Sequence, residues 1–212
     1  MKKCMSLLLV AAMTMSLLAG CAGSGTSDNG STDNTEGVSE TTYTDGTSTA
    51  ASGETFKIGG IGPVTGGAAV YGIAVKNATE LAINEINAAG GINGYQVEFN
   101  FQDDELDNEK SVNAYNTLKD WGMNILVGTV TSGCAIAVAA ETKNDNMFQI
   151  TPSGSSVDIV NGNDNVFQVC FTDPNQGVGA AQYIGENNLA TKVAVIYDSS
   201  DVYSSGIYTK FA

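Results

Sequence analysis

The chain has 212 residues and a formal net charge of −14, and its nine basic residues are all lysines because it contains neither arginine nor histidine. This acidity excludes a nucleic-acid-binding surface, since the chain would repel a phosphate backbone. Without histidine, and without a serine–base pair or metal-ligand spacing, we expect no enzyme, no metal and no cofactor. Without arginine, a bound carboxylate must be held by hydroxyls, backbone N–H groups or a lysine.

Residues 1–20 have the pattern of a secretory signal peptide. Lys2 and Lys3 precede an apolar run over residues 7–12, and Leu-Ala-Gly-Cys follows at residues 18–21. A cysteine at that depth resembles the lipobox of bacterial lipoproteins, so we expect lipidation of Cys21; an ordinary signal peptide with a chance cysteine is the alternative. Because the apolar stretch is too short to span a bilayer, the sequence predicts a protein lipid-anchored at the extracytoplasmic face of the cell membrane.

Residues 21–54 consist almost entirely of Ser, Thr, Gly, Asp, Asn and Glu. Such a segment cannot bury enough apolar surface to fold, which predicts a disordered acidic tether. From Thr55 the composition changes to alternating apolar and helical stretches, and the remaining length suits one domain of ordinary size.

Strand and helix patterns alternate from Thr55 onward. The predicted strands cover residues 56–61, 95–101, 124–128, 147–150 and 165–170, and the predicted helices cover residues 70–89, 107–121 and 132–139. After Asp173-Pro174 the pattern restarts with a helix over 176–187, a strand over 192–197 and a helix from Ser204. This alternation is typical of a doubly wound parallel α/β sheet. We therefore predict a ligand-binding lobe over 55–172, with the crossover and incomplete start of a second, similar lobe over 173–212.

Two predicted loops, residues 129–133 and 151–156, are rich in hydroxyls and glycine. In a doubly wound sheet, ligands bind beyond the carboxyl ends of the strands, where the strand order changes. Hydroxyls and free N–H groups at a helix N-terminus suit a carboxylate, because the helix dipole adds to the hydrogen bonds. Plain N-capping by Ser132 is the alternative, but it would explain one serine and not two adjacent loops.

Several motifs in this part of the chain are weak singly and specific in combination. They are residues 58–66 followed by Tyr71-Gly72, then residues 88–94, 103–104, 150–153, 173–177 and 193–198. From Phe56 to the end, the sequence resembles the leucine/isoleucine/valine-binding proteins, which are the solute-binding subunits of ABC importers and have the type I periplasmic-binding fold. The resemblance implies a truncated two-lobed protein that binds a branched-chain or other neutral amino acid and delivers it to an ABC permease. We also expect a monomer.

The resemblance assigns ligand-binding roles to Tyr71, Ser132, Gly133, Ser153, Gly154, Ser155 and Tyr203. It implies that Ser132 and Gly133 bind the α-carboxylate, and that the Ser153 carbonyl faces the α-ammonium. Ser155 would offer its hydroxyl and N–H to the head group. Tyr71 would line the side-chain pocket, and Tyr203 would approach from the second lobe. The family's acidic partner for the ammonium falls beyond Ala212.

Two cysteines, Cys134 and Cys170, remain besides Cys4 in the signal peptide and the lipid site Cys21. The positions of the family's disulfide are taken here by Leu106 and Thr131. Cys134 and Cys170 either pair in an oxidising compartment or remain two buried thiols. An alternative function, a sensor that reports amino acids or amides to a membrane partner, predicts the same isolated lobe.

Overall fold

Residues 53–212, the part of the chain that this computed structural model describes, contain five strands and five α-helices. The predicted signal peptide, Cys21 and nearly all of the predicted tether lie outside the described residues. The strands are β1 (Thr55–Gly62), β2 (Gln96–Asp103), β3 (Ile125–Gly128), β4 (Gln149–Thr151) and β5 (Val166–Gln168). The helices are α1 (Ala69–Ala88), α2 (Asn108–Trp121), α3 (Ser132–Asp145), α4 (Asp173–Glu186) and α5 (Val202–Phe211), with a short 3₁₀ helix at Val157–Ile159.

The five strands form one parallel sheet in the order β2-β1-β3-β4-β5, so that β2 and β5 are its two edges. On one face, Ile83 of α1 packs with Ile58 and Val97. On the other face, Tyr115 and other residues of α2 pack with Leu126 and with Val138 of α3. Helices on both faces of a parallel sheet confirm the predicted doubly wound α/β fold. The strand order changes direction between β1 and β3, which makes the carboxyl ends of these strands the expected binding position.

Asp107 and three glycines set ends of the first two helices. The Asp107 carboxylate accepts a hydrogen bond of 2.8 Å from the Lys110 N–H, so Asp107 is the N-cap of α2. Gly122 ends that helix with φ of 86°, a left-handed conformation that glycine adopts without a Cβ clash. Gly90 and Gly91 follow α1 with φ of 105° and 83°. Glycines in left-handed conformations therefore end both helices.

Helix α3 runs to Asp145 and is longer than the predicted span, which ended at residue 139. The additional turns contain Thr142, a polar residue that sequence patterns assign to a surface. Thr142 is nevertheless fully buried. Its hydroxyl donates a hydrogen bond of 2.8 Å to Oε1 of Gln149 on β4, which compensates the burial of both polar groups. A buried polar pair between helix and strand therefore extends the core where no apolar pattern marks it.

The strand predicted over residues 192–197 is not formed, and that prediction was wrong. Apolar residues of this segment face solvent: Val193 is 50% exposed and Ile196 is 100% exposed. A strand is stable only when its backbone groups pair with a neighbour, and no strand of the described residues pairs with this segment. The flanking helices do form, and Gly177 of α4 lies so close to α5 that a Cβ there would be 2.3 Å from the Ile207 carbonyl oxygen. Within residues 53–212, no helix combines the length and hydropathy required to cross a membrane.

Candidate functional site

The candidate site lies at the carboxyl ends of β1, β3 and β4, where the sheet changes strand order. The β1–α1 loop is held there by Asp103 at the end of β2, which accepts hydrogen bonds from the Val64 N–H at 2.9 Å and the Thr65 hydroxyl at 2.6 Å. Burial tends to raise the pKa of Asp103, but these hydrogen bonds outweigh it and the pKa is lowered. An ionised Asp103 therefore fixes the loop that leads into α1.

Gly72 brings the start of α1 against this loop. A Cβ at Gly72 would fall 1.9 Å from the Pro63 carbonyl oxygen, so only glycine permits the close approach. The contact fixes the position of the preceding residue, Tyr71, whose side chain is 64% exposed. Tyr71 is therefore accessible from solvent at the start of α1.

Ser132 is the first residue of α3, and it is buried. The N-cap is Thr131, whose side chain makes no capping hydrogen bond. Plain N-capping by Ser132 is therefore not its role. Instead, its hydroxyl oxygen accepts hydrogen bonds from the N–H groups of Ser155 at 3.1 Å and Ser156 at 3.2 Å. The two hydroxyl-rich loops thus meet at this oxygen.

The loop after β4 is shaped by its own side chains. Thr151, fully buried, donates its hydroxyl to the Thr129 carbonyl at 2.6 Å and accepts the Gly154 N–H at 2.9 Å. Ser153 donates its hydroxyl to the Val130 carbonyl at 2.7 Å. These bonds join the β4–3₁₀ loop to the β3–α3 loop, so that Ser153, Gly154 and Ser155 lie beside the first turn of α3.

Gln168 on β5 supports the same loop and was missed by the sequence analysis. Its side-chain amide donates to the Gly154 carbonyl at 2.5 Å and to the Ser156 carbonyl at 3.3 Å. The only signal in the sequence is a polar residue within an otherwise apolar strand. The Gly154 carbonyl also accepts from the Cys170 thiol at 3.3 Å. The Gly154 carbonyl is therefore occupied by two donors from β5 and the residues just after it.

Cys134 and Cys170 are both free thiols in the structure, so the disulfide that the sequence left open is not formed. The two thiols have different surroundings. Cys134 lies within α3 and faces the side chains of Asp104 and Ser111, and burial raises its pKa to about 11. Cys170 follows β5 and contacts the Gly154 carbonyl.

Tyr203 of α5 lies at the same end of the sheet, and its side chain is partly exposed. Burial, then the negative charge of Asp173 and the nearby side chain of Tyr71, raise the pKa of its phenol. The two tyrosines that the sequence predicted for the site are therefore near one another. Asp173, the first residue of α4, lies with them and was not among the predicted site residues.

The predicted head-group residues are thus brought together, with one difference in detail. Ser132 and Gly133 form the first turn of α3, and Ser155 lies beside them and is buried. The Ser155 N–H, which we expected to face a ligand, donates to Ser132. The Ser155 hydroxyl lies beside the Asp173 carboxyl, whose pKa it lowers against the opposite effect of burial.

Comparison with known proteins shows the family of this chain. Residues 55–210 match the model of a family described as periplasmic binding protein. The chain belongs to this family. Over 155 residues it is 36% identical to Leu/Ile/Val-binding protein homolog 3 of Brucella melitensis biotype 1, covering 73% of this chain and 42% of that protein.

Two further relatives agree with this assignment. A leucine-, isoleucine-, valine-, threonine- and alanine-binding protein of Pseudomonas aeruginosa is 33% identical over 158 residues, covering 74% of this chain and 42% of that protein. The branched-chain amino acid transporter substrate binding protein of Streptococcus pneumoniae, solved in complex with isoleucine, superposes with a TM-score of 0.71 at 32% identity, covering 74% of this chain and 46% of that one. The chain therefore spans less than half the length of these relatives, and the shared part is the lobe described above together with α4 and α5.

Proposed function

We propose that this chain is the ligand-capturing lobe of an extracytoplasmic, lipid-anchored solute-binding protein that delivers a small neutral amino acid to an ABC importer. The named relatives bind leucine, isoleucine and valine, which supports the branched-chain class as ligand. The predicted lipobox at Cys21 supports the anchor, and the tether at residues 21–54 would let residues 55–172 stand clear of the membrane.

The Ser132 hydroxyl is the observation that carries this proposal. A hydroxyl has one hydrogen to donate and two lone pairs to accept with. The Ser155 and Ser156 N–H groups occupy the oxygen as an acceptor, and no described residue receives the hydroxyl hydrogen. That hydrogen is therefore free to bind an anionic oxygen, beside the unpaired N–H groups that begin α3. A carboxylate is the ligand group that this arrangement suits.

The surroundings of the head-group site support a neutral ligand. Among the residues assigned to ligand binding, none carries a basic side chain that would recognise a second acidic group. Tyr71 offers an aromatic ring at the entrance, and it can pack against an aliphatic side chain.

Isothermal titration calorimetry on the full-length protein tests the proposal. We expect binding of leucine, isoleucine or valine, and we expect no binding of sugars or nucleotides. Ser132→Ala removes the free donor, so affinity should fall by about 1.5–3 kcal/mol, roughly tenfold to a hundredfold. Melting temperature should also fall, because two buried N–H groups lose their acceptor.

Ser156→Ala is the matched control for this variant. It removes the neighbouring buried hydroxyl, which accepts only the Asp158 N–H at 3.3 Å, and leaves the Ser156 backbone in place. Stability should decrease slightly while affinity stays unchanged. Ser132→Ala with unchanged affinity would contradict the placement of the carboxylate, and a sugar or nucleotide as sole ligand would contradict the ligand class.

A further inference from the structure

Asp104, directly after β2, is a buried acid that no cation neutralises. Its side chain is fully buried, and its Oδ2 has no hydrogen-bond partner within residues 53–212. Its Oδ1 accepts a hydrogen bond of 3.0 Å from the Leu106 N–H. The ion pairs found in this part of the chain do not include it. A buried carboxylate in such surroundings is sensitive to any further negative charge placed near it.

The Asp104 carboxyl lies behind the first turn of α3. It faces the thiol of Cys134, the third residue of that helix. The start of α2 contacts the same turn, since a Cβ at Gly133 would lie 3.1 Å from Oδ1 of Asn108. Asp104 and the carboxylate position proposed beside Ser132 therefore share one helix N-terminus.

The titratable groups around Asp104 supply no compensating positive charge. Asp103 of β2 adds its own negative charge. The Cys134 thiol of α3 is neutral, because burial raises its pKa to about 11. Lys110, in the first turn of α2, pairs in solvent with Glu105 at 2.6 Å. Burial raises the pKa of Asp104, and the charge of Asp103 adds to this effect.

We propose that binding of the ligand carboxylate at the start of α3 is coupled to proton uptake by Asp104. A helix N-terminus stabilises one anion through its dipole and its unpaired N–H groups, and a second, buried anion at the same end is repelled by the first. Protonation of Asp104 removes this repulsion. Because the bound state then holds the proton more tightly than the free state, affinity should fall as pH rises. This inference rests on the proposed function, since it needs a carboxylate beside Ser132.

Isothermal titration calorimetry with leucine measures this coupling in the full-length protein. Titrations in two buffers of different ionisation enthalpy, repeated from about pH 5 to about pH 8, give the number of protons taken up on binding. We expect the wild type to take up more protons than Asp104→Asn over part of this range. Its affinity relative to that of Asp104→Asn should also fall as pH rises, by about threefold or more over the range and at most tenfold per pH unit. Asparagine cannot titrate, but it keeps an oxygen that accepts the Leu106 N–H.

Asp107→Asn is the matched control. It removes an exposed charge three residues away and keeps a good N-cap for α2, so proton uptake and affinity should equal those of the wild type. Asp173 is a second acid with a raised pKa near the site, and its contribution cancels when the wild type is compared with an Asp104 variant. Asp104→Ser is a second variant that cannot titrate, and circular dichroism shows which variants are folded.

The possible outcomes separate this inference from the proposed function. Equal proton uptake by the wild type and a folded Asp104 variant would overturn the coupling and leave the proposed function standing. Lower uptake in Asp107→Asn, to the same extent as in Asp104→Asn, would also overturn it, because the effect would then belong to the net charge of the loop. A wild type that binds no leucine, isoleucine or valine would overturn the proposed function, and with it this inference.

Discussion

Asp104 shows at the scale of a single residue how burial changes the chemistry of a carboxyl group. It is fully buried at the end of β2, where Oδ1 accepts the Leu106 N–H at 3.0 Å and Oδ2 has no hydrogen-bond partner among residues 53–212. Burial raises its pKa, and the negative charge of Asp103 adds to the effect. The hydrogen bond from Leu106 opposes this shift without cancelling it.

The raised pKa sets the sign of a pH dependence. A carboxyl group that binds its proton more tightly in the folded state contributes full stability below its unfolded pKa of about 3.8, and this contribution is lost as pH rises through the folded pKa. Asp104→Asn removes the charge that is costly at neutral pH. We expect urea denaturation at pH 7 to show a gain of about 1–3 kcal/mol, and the loss of stability as pH rises from acid toward neutral should be smaller than in the wild type.

Asp103→Asn provides the opposite case one residue away. The pKa of Asp103 is lowered, so its contribution is present above the unfolded pKa and is lost as pH falls. The asparagine variant should therefore be less stable than wild type at pH 7. If Asp104→Asn destabilises the protein at pH 7 as Asp103→Asn does, the carboxyl of Asp104 is ionised at little cost and our account of its burial is wrong.

Residue types at the candidate site were predictable from the sequence, but their partners were not. The hydroxyls of residues 129–133 and 151–156 marked both loops. That Ser132 accepts from Ser155 and Ser156 depends on how α3 and the loop after β4 pack, which no local pattern contains. Gln168 and Asp173 were missed for the same reason, because each acts through a contact with a distant part of the chain.

At the scale of the element, α2 is the clearest case of a boundary set by one side chain. Asp107 caps its first turn, and its negative charge also suits the positive end of the helix dipole. Asp107→Ala should lower the free energy of unfolding by about 1 kcal/mol in urea denaturation. Asp120→Ala removes the same charge from the last turn of the helix, where an acid is unfavourable, and should be neutral or slightly stabilising. Equal destabilisation by both variants would contradict the capping role.

Element types were predictable wherever the pattern that defines them is local. Apolar periodicity placed α1 and α2 within a few residues of their observed ends. The strand predicted over 192–197 has the right composition, but a strand also needs a neighbour, and composition does not supply one. Helix α3 was predicted too short because Thr142 is buried through a hydrogen bond and not through an apolar pattern.

For the whole molecule, the alternation of strands and helices was sufficient to predict the sheet, because short right-handed crossovers leave few arrangements of parallel strands. The order β2-β1-β3-β4-β5 then follows as one of the common doubly wound orders. What the sequence could not provide is the contact between α4 and α5, which depends on the close approach at Gly177 and Gly206.

Anchoring is a property of the whole molecule and gives a separate prediction. If Cys21 is lipidated, Cys21→Ser should abolish labelling with palmitate and release the protein from the membrane fraction, because an acidic chain has little affinity for anionic lipid. Cys170→Ser is the matched control and should retain both the label and the membrane fraction. Unlabelled Cys21→Ser protein that still sediments with membranes would show that another segment anchors the chain.

The two edge strands of the sheet, β2 and β5, differ in how much apolar surface they expose, and this difference affects aggregation. Along β2, exposed Gln96 and Glu98 alternate with apolar residues, and the charge of Glu98 discourages pairing with another strand. Along β5 and just after it, Phe167, Val169 and Phe171 are 49%, 67% and 65% exposed. An open apolar edge is a template for further strands, so aggregation of concentrated protein is expected to begin at β5, while β2 is protected by its own side chains.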